Sequence, residues 1–284
     1  MTSLAEILSL QRLDNDSFLG HSPQTSWRRV FGGLVLGQAL AAAALTVEAK
    51  SAHSLHAYFM LPGNPDLPIT YAVERLRDGT SFATRRCVAS QNGAAIFALS
   101  ASFHIEETGF SHQSPMPVVP PPADLRSEAE LATQFASLMP ENMRRFLAQD
   151  RPVEMRPTDL SRFYGTRTGK PQATTQAIWM RARTKLDDNP ATHRAVLAYM
   201  SDMTLLDAAL VAHGRTVFDP AIQVASLDHA LWFHRPFKAD DWLLYSQDSP
   251  NTCGALGLSR GLFFTQSGEL VASVAQEGLI RERR

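Results

Sequence analysis

Between residues 32 and 47 the chain is almost wholly apolar, a pattern that predicts a hydrophobic helix. Gly33 and Gly37 lie inside it, ahead of an alanine run. Glycine in a helix costs about 1 kcal/mol against alanine, so a packing reason is expected, and close approach to a sheet wrapped around the helix supplies one. Short apolar runs then predict strands over residues 54–59, 69–76, 82–91 and 95–104. Asp78-Gly79 and Asn92-Gly93 separate them, and both dipeptides are hairpin signals. Further along, a helix is predicted over 202–213 with its exit at Gly214, followed by strands over 230–234, 242–248, 256–265 and 270–280. A helix followed by several strands, twice, fits an α+β unit better than an alternating βαβ one.

The two halves repeat each other. Phe59 matches Phe233, Pro62 matches Pro236, Tyr71 matches Tyr245 and Arg86 matches Arg260, each pair 174 residues apart. One inserted residue then brings Gly93 opposite Gly268, 175 apart. Matched punctuation of this kind reads as a duplicated unit. The expected organisation is one unit over 1–110, a linker over 111–150, and a second unit over 151–284. The linker contains Pro115, Pro117 and the run Pro120, Pro121, Pro122, which predict an extended, semi-rigid crossing laid over the surface. A helical stretch over 127–149, interrupted at Pro140, completes it, and the segment ends near Arg151-Pro152.

Composition narrows the function. The 284 residues and 44% hydrophobic content support a substantial core. Lys plus Arg total 27 against 28 for Asp plus Glu, a net charge of -1, so no global field recruits nucleic acid or an anionic membrane. The N-terminal stretch is unlike a signal peptide, and no apolar run reaches the ~20 residues of a membrane helix. With two cysteines, Cys87 and Cys253, no disulfide framework or thiolate metal site is indicated. A cytoplasmic protein without a cofactor is expected.

The common hydrolase signatures are missing: there is no G-x-S-x-G, no H-E-x-x-H and no P-loop ending. What stands out is a set of polar residues within apolar surroundings in the second half. Asp202 precedes Met203, Leu205 and Leu206; Ser226 follows Val224-Ala225; Gln276 follows Val274-Ala275. Each has an ordinary explanation. Asp202 suits a helix N-cap, Ser226 a turn, and Gln276 a solvent-facing strand position. The repeat offset places Ala101 opposite Gln276, so the first half is apolar there.

The chain resembles the type II acyl-CoA thioesterases, the double hot-dog group, along nearly its whole length. The resemblance is carried by Val30-Phe31-Gly32-Gly33 with Gly37-Gln38-Ala39, by His56-Ala57-Tyr58-Phe59 with Pro62-Gly63, and by Arg77-Asp78-Gly79-Thr80-Ser81-Phe82. The second half adds Tyr199-Met200-Ser201-Asp202, Leu227-Asp228-His229, Trp232-Phe233-His234-Arg235-Pro236 and Gln276-Glu277-Gly278. It implies two fused hot-dog units, each a long helix wrapped by an antiparallel sheet. It also implies hydrolysis of fatty acyl-CoA, homo-oligomerisation as a dimer or tetramer, and a catalytic set on Asp202, Ser226 and Gln276. Leu61 departs from the pattern, because an arginine is expected before the proline, as at Arg235 of the second half.

Thioester hydrolysis needs a positioned water, base assistance and oxyanion stabilisation, while the thiol, with a pKa near ~8.5, leaves without much acid help. Asp202 fits the base and Ser226 with Gln276 the positioning groups, with no covalent nucleophile required. A helix N-terminus would lower the Asp202 pKa and burial would raise it. Backbone N–H groups near Gly32 and Gly33 are oxyanion candidates. Some of Arg75, Arg77, Arg85, Arg86, Arg235 and Arg260 are candidates for CoA phosphates. Two other readings compete: an acyl-CoA-binding protein without turnover, and a hydratase using Asp228-His229. His56 is a further acid/base candidate of lower rank.

Overall fold

The computed structural model describes residues 2–23, 29–137, 139, 141–147, 149–159 and 175–283. Pro140, expected to interrupt the linker helix, and Arg284 lie outside them. The first half contains helix α1 (Leu4–Ile7), strands β1 (Gln11–Arg12) and β2 (Ser17–Gly20), and helix α2 (Gly32–Ala44). Strands β3 (Ser51–Phe59), β4 (Ile69–Asp78), β5 (Phe82–Gln91) and β6 (Ala94–His104) follow. The second half contains β7 (Val153–Pro157), β8 (Thr175–Ala182), helices α5 (Pro190–Ser201) and α6 (Leu205–Val211), and strands β9 (Ile222–Ser226) to β13. Of these, β10 is Asp228–Phe233, β11 Leu243–Cys253, β12 Leu256–Thr265 and β13 Leu270–Glu282. Between the halves lie α3 (Glu128–Gln134) and α4 (Glu141–Leu147).

Among the described residues the strands form one 13-stranded antiparallel sheet in the order β1-β2-β4-β5-β6-β3-β10-β13-β12-β11-β8-β7, with β9 on the end of β13. The repeat is visible in its register. Tyr71 faces Ala89 and Glu74 faces Arg86 across β4 and β5; 174 residues later Tyr245 faces Phe263 and Asp248 faces Arg260 across β11 and β12. Both charged pairs are also ion pairs. Where the halves meet, β3 pairs with β10, Ser54 opposite Trp232 and Tyr58 opposite Asp228, with His56 and Ala230 at the centre. The same 174-residue offset exchanges the two flanking pairs, so a pseudo-two-fold axis passes through the central one, as in an isologous dimer interface. At the β5–β6 turn, Asn92 (φ 49) and Gly93 (φ 79) both take the left-handed conformation of a tight hairpin.

The leucines and alanines of α1, α2 and α5 form the main core with the inward strand positions. The expected reason for the helix glycines needs correction. A Cβ on Gly33 would lie 2.4 Å from the Tyr199 carbonyl oxygen, and one on Gly37 2.9 Å from that of Ala195. Both acceptors belong to α5, so the glycines permit close crossing of two helices, not contact with the sheet. The predicted 202–213 helix also differs. Helix begins twelve residues earlier, at Pro190 with Asn189 as its N-cap, breaks at Asp202 and resumes at Leu205. Asp202 is therefore a C-cap and does not stand at a helix N-terminus. Strands β2, β7 and β8 extend both sheet edges beyond the predicted elements.

The proline-rich crossing packs Met116, Val119 and Leu125 against Trp179, Leu244 and Phe264, and Trp179 Nε1 donates to the Pro120 carbonyl at 2.9 Å. It is held by the second half. The linker helices form a small core of their own, in which Leu131, Met143 and Leu147 meet Phe218.

Candidate active site

Three elements distant in sequence bring Asp202, Ser226 and Gln276 together. Asp202 sits in the break between α5 and α6, Ser226 ends β9, and Gln276 lies in the middle of β13. Gln276 Nε2 donates to Asp202 Oδ1 at 2.6 Å, and Ser226 Oγ donates to the same oxygen at 3.3 Å. Both ordinary explanations for these two donors give way: Ser226 is a strand residue aimed at the carboxylate, and Gln276 is 1% exposed. The third approach comes from the other half. The Gly33 amide at the start of α2 approaches the carboxylate and lowers its pKa, and a Cβ on Gly32 would lie 2.6 Å from Asp202 Oδ2. Only a residue without a side chain allows the helix end so near.

These contacts set the electrostatics. Burial raises the Asp202 pKa from 3.8 to about 6, against the opposing pull of the Gln276, Ser226 and Gly33 hydrogen bonds. The residue as a whole keeps a partial opening to solvent, but the protein atoms crowding its carboxyl dominate. The depression expected from a helix of its own does not arise, because the residue ends α5; the helix N-terminus that lowers its pKa is that of α2, through Gly33. A carboxylate that titrates near neutrality is suited to general base work. With Oδ1 engaged by two donors, Oδ2 faces the start of α2.

The other candidates lie elsewhere or are already committed. His56 is exposed on the pseudo-two-fold axis with its ring 5.2 Å from Trp232, outside the site. Asp228 Oδ1 accepts the Glu277 amide at 2.7 Å and His229 is fully buried against Ser201, so this pair is not free for hydration chemistry. Among the arginines, Arg85 is buried and bonded to Thr46, Arg75 pairs with Asp16, and Arg86 and Arg260 hold their cross-strand acids. Arg235 donates to the carbonyls of Leu270 and His112 and so ties the linker to the second half. Leu61, its counterpart in the first half, is exposed. Sequence reasoning missed Ser259, the cross-strand partner of Gln276. Its Oγ, Gln276 Oε1 and His229 Nδ1 are buried without a protein partner among the described residues. The repeat was the available signal for His229, since the first half has Leu55 in its place.

Two hot-dog units in one chain, with a carboxylate where the helix of one meets the helix of the other, place the protein among the double hot-dog enzymes. Residues 21–104 match the family described as acyl-CoA thioesterase N-terminal domain, and residues 143–279 match acyl-CoA thioesterase. The chain is 37% identical to acyl-CoA thioesterase 2 of Haemophilus influenzae, over 99% of this chain and 98% of that one. It is 39% identical to human acyl-coenzyme A thioesterase 8, over 97% and 88%. Among solved structures, the acyl-CoA thioesterase II TesB2 of Mycobacterium marinum superposes with a TM-score of 0.80 at 42% identity, covering 99% of each chain. The chain belongs to the acyl-CoA thioesterase family and is a thioester hydrolase acting on acyl-CoA. No helix among its described residues is long and apolar enough to cross a membrane.

Proposed function

We propose that the chain hydrolyses fatty acyl-CoA to free fatty acid and CoA through a water activated by Asp202 and oriented by Ser226 and Gln276, with no covalent intermediate. The convergence of Gln276 Nε2 and Ser226 Oγ on one carboxylate oxygen carries this reading. In this mechanism Asp202 takes a proton from the water as its oxygen adds to the thioester carbonyl. The tetrahedral oxyanion is met by the Gly32 amide, the first of α2, since the Gly33 amide serves Asp202 and the Leu34 amide is bonded to the Phe31 carbonyl. Collapse breaks the carbon–sulfur bond, and the proton held by Asp202 returns to the thiolate or to solvent. Ser226 and Gln276 add no charge; by holding the carboxylate they also orient the water bound to it, which is where proximity gains arise.

Release of free thiol from saturated acyl-CoAs of increasing chain length, by wild type and Asp202→Asn, tests the reading. Turnover that disappears in the variant while acyl-CoA binding survives is expected, and retained turnover would sink the mechanism. A pre-steady-state burst of CoA in wild type would instead indicate an acyl-enzyme. The same reading keeps a cytoplasmic location, supported by the free thiols of Cys87 and Cys253. It also keeps a homo-oligomer, which light scattering of the purified chain tests.

A further inference from the structure

The Asp202 carboxylate is only as well placed as the backbone that carries it, and that backbone stands in a helix break. Two buried side chains reach the residue just before it. Tyr245 donates its hydroxyl to the Ser201 carbonyl at 2.9 Å, and His229 Nε2 lies 2.8 Å from Ser201 Oγ. The tyrosine belongs to the shared fold, because Tyr71, its counterpart in the first half, is equally buried and donates to Gln38. The histidine does not. Its counterpart is Leu55, which faces Ala101 across β3 and β6. The half that carries Asp202 has replaced this leucine–alanine pair with His229 and Gln276.

The tautomer follows from proton counting. Ser201 Oγ donates its single proton to the Ala198 carbonyl at 2.8 Å, so it accepts from His229. The ring proton is then on Nε2, and Nδ1 is an unprotonated, buried acceptor without a protein partner among the described residues. An unpaired buried acceptor is costly, and the leucine of the first half avoids that cost. Packing alone therefore does not account for a histidine here. Burial also depresses the ring's pKa to about 3, so it is neutral under working conditions and is no general acid.

We propose that His229 is a positioning residue for hydrolysis: its Nε2–H bond to Ser201 Oγ fixes the end of α5 and so aims the Asp202 carboxylate at the attacking water. The inference rests on Asp202 being the base, and the test separates the two. We would measure kcat and KM by thiol release for His229→Leu, Ser201→Ala, their combination, His229→Gln and Asp202→Asn, all in the full chain. His229→Leu is expected to lower kcat at least ~10-fold with KM within about twofold, because small misplacements of a reacting group are expensive. His229→Gln, whose amide nitrogen reaches near the Nε2 position, is expected to restore kcat to within about threefold of wild type. Ser201→Ala should reproduce the loss, and the combined variant should lose no more than either alone. A merely structural role would lower the melting temperature without this kcat-only loss or the rescue. Wild-type kcat in His229→Leu, or losses that multiply in the combined variant, overturns the proposal while an inactive Asp202→Asn leaves the base assignment standing. Turnover retained in Asp202→Asn removes the base assignment first. Should His229→Leu fail to fold, Ser201→Ala, which deletes only a hydroxyl, removes the same bond: a kcat-only loss supports the proposal and wild-type kcat overturns it.

Discussion

Replacing Asp202 by Asn should make the protein more stable at high pH as it makes it inactive. Burial raises this carboxyl from 3.8 to about 6. The difference is about 2 pKa units at about 1.4 kcal/mol each, or about 3 kcal/mol. The folded state holds the proton more tightly than the unfolded chain. Below about pH 4 both states are protonated and the group is neutral to stability. Between about pH 4 and pH 6 the unfolded chain loses its proton first and folding weakens, and above about pH 6 the full penalty is present. Asparagine has no proton to lose. The variant's stability relative to wild type should therefore climb across this window and level off about 3 kcal/mol higher than at pH 4. A fixed offset of about 1 kcal/mol lies beneath this change, because the variant's amide can lose the bond from Gly33. Urea unfolding of both proteins at pH 4, 5, 6 and 8 measures the difference directly. A stability difference independent of pH would refute the reasoning, since the raised pKa is its only source.

In the proposed mechanism the same carboxyl sets the pH dependence of the reaction: kcat/KM should rise through an acid limb near pH 6 and reach a plateau above it, the ionised form being the proposed base. A limb near pH 4 in a pH–rate profile would show that burial does not control the group. Gly33→Ala should lower stability by up to about 2 kcal/mol, read by urea or thermal unfolding. Its methyl meets the Tyr199 backbone oxygen at 2.4 Å, and overpacking of about 1–3 kcal/mol outweighs the roughly 1 kcal/mol gain in helix propensity. Gly32→Ala should reduce kcat at least ~10-fold at wild-type fold content by circular dichroism, since its Cβ would lie 2.6 Å from Asp202 Oδ2. Tyr245→Phe should cost about 1 kcal/mol of stability by losing the bond to the Ser201 carbonyl, which a denaturation midpoint reads.

Much of this molecule was legible along the chain. Local patterning determined β5 and β12 to the residue, and the 174-residue offset joining Tyr71 to Tyr245 foretold the repeated register. Recurrence survives in a sequence because each strand pair needs the same inward positions in both halves. The identities of Asp202, Ser226 and Gln276 were readable as polar residues in apolar surroundings. Their contact was not, because it depends on β9 and β13 pairing across more than 40 residues and on a helix break that no local signal marked. The helix glycines show the same limit: their presence called for a close neighbour, but only the tertiary packing decided that the neighbour is α5. The charge state of Asp202 was likewise undecided in sequence, where helix end and burial pull in opposite directions. Folding decided it by placing the carboxyl at the end of one helix, beside the start of another, among protein atoms that displace most of its solvent. Local propensity acts between near neighbours, whereas desolvation is set by whatever the whole fold brings within a few ångströms.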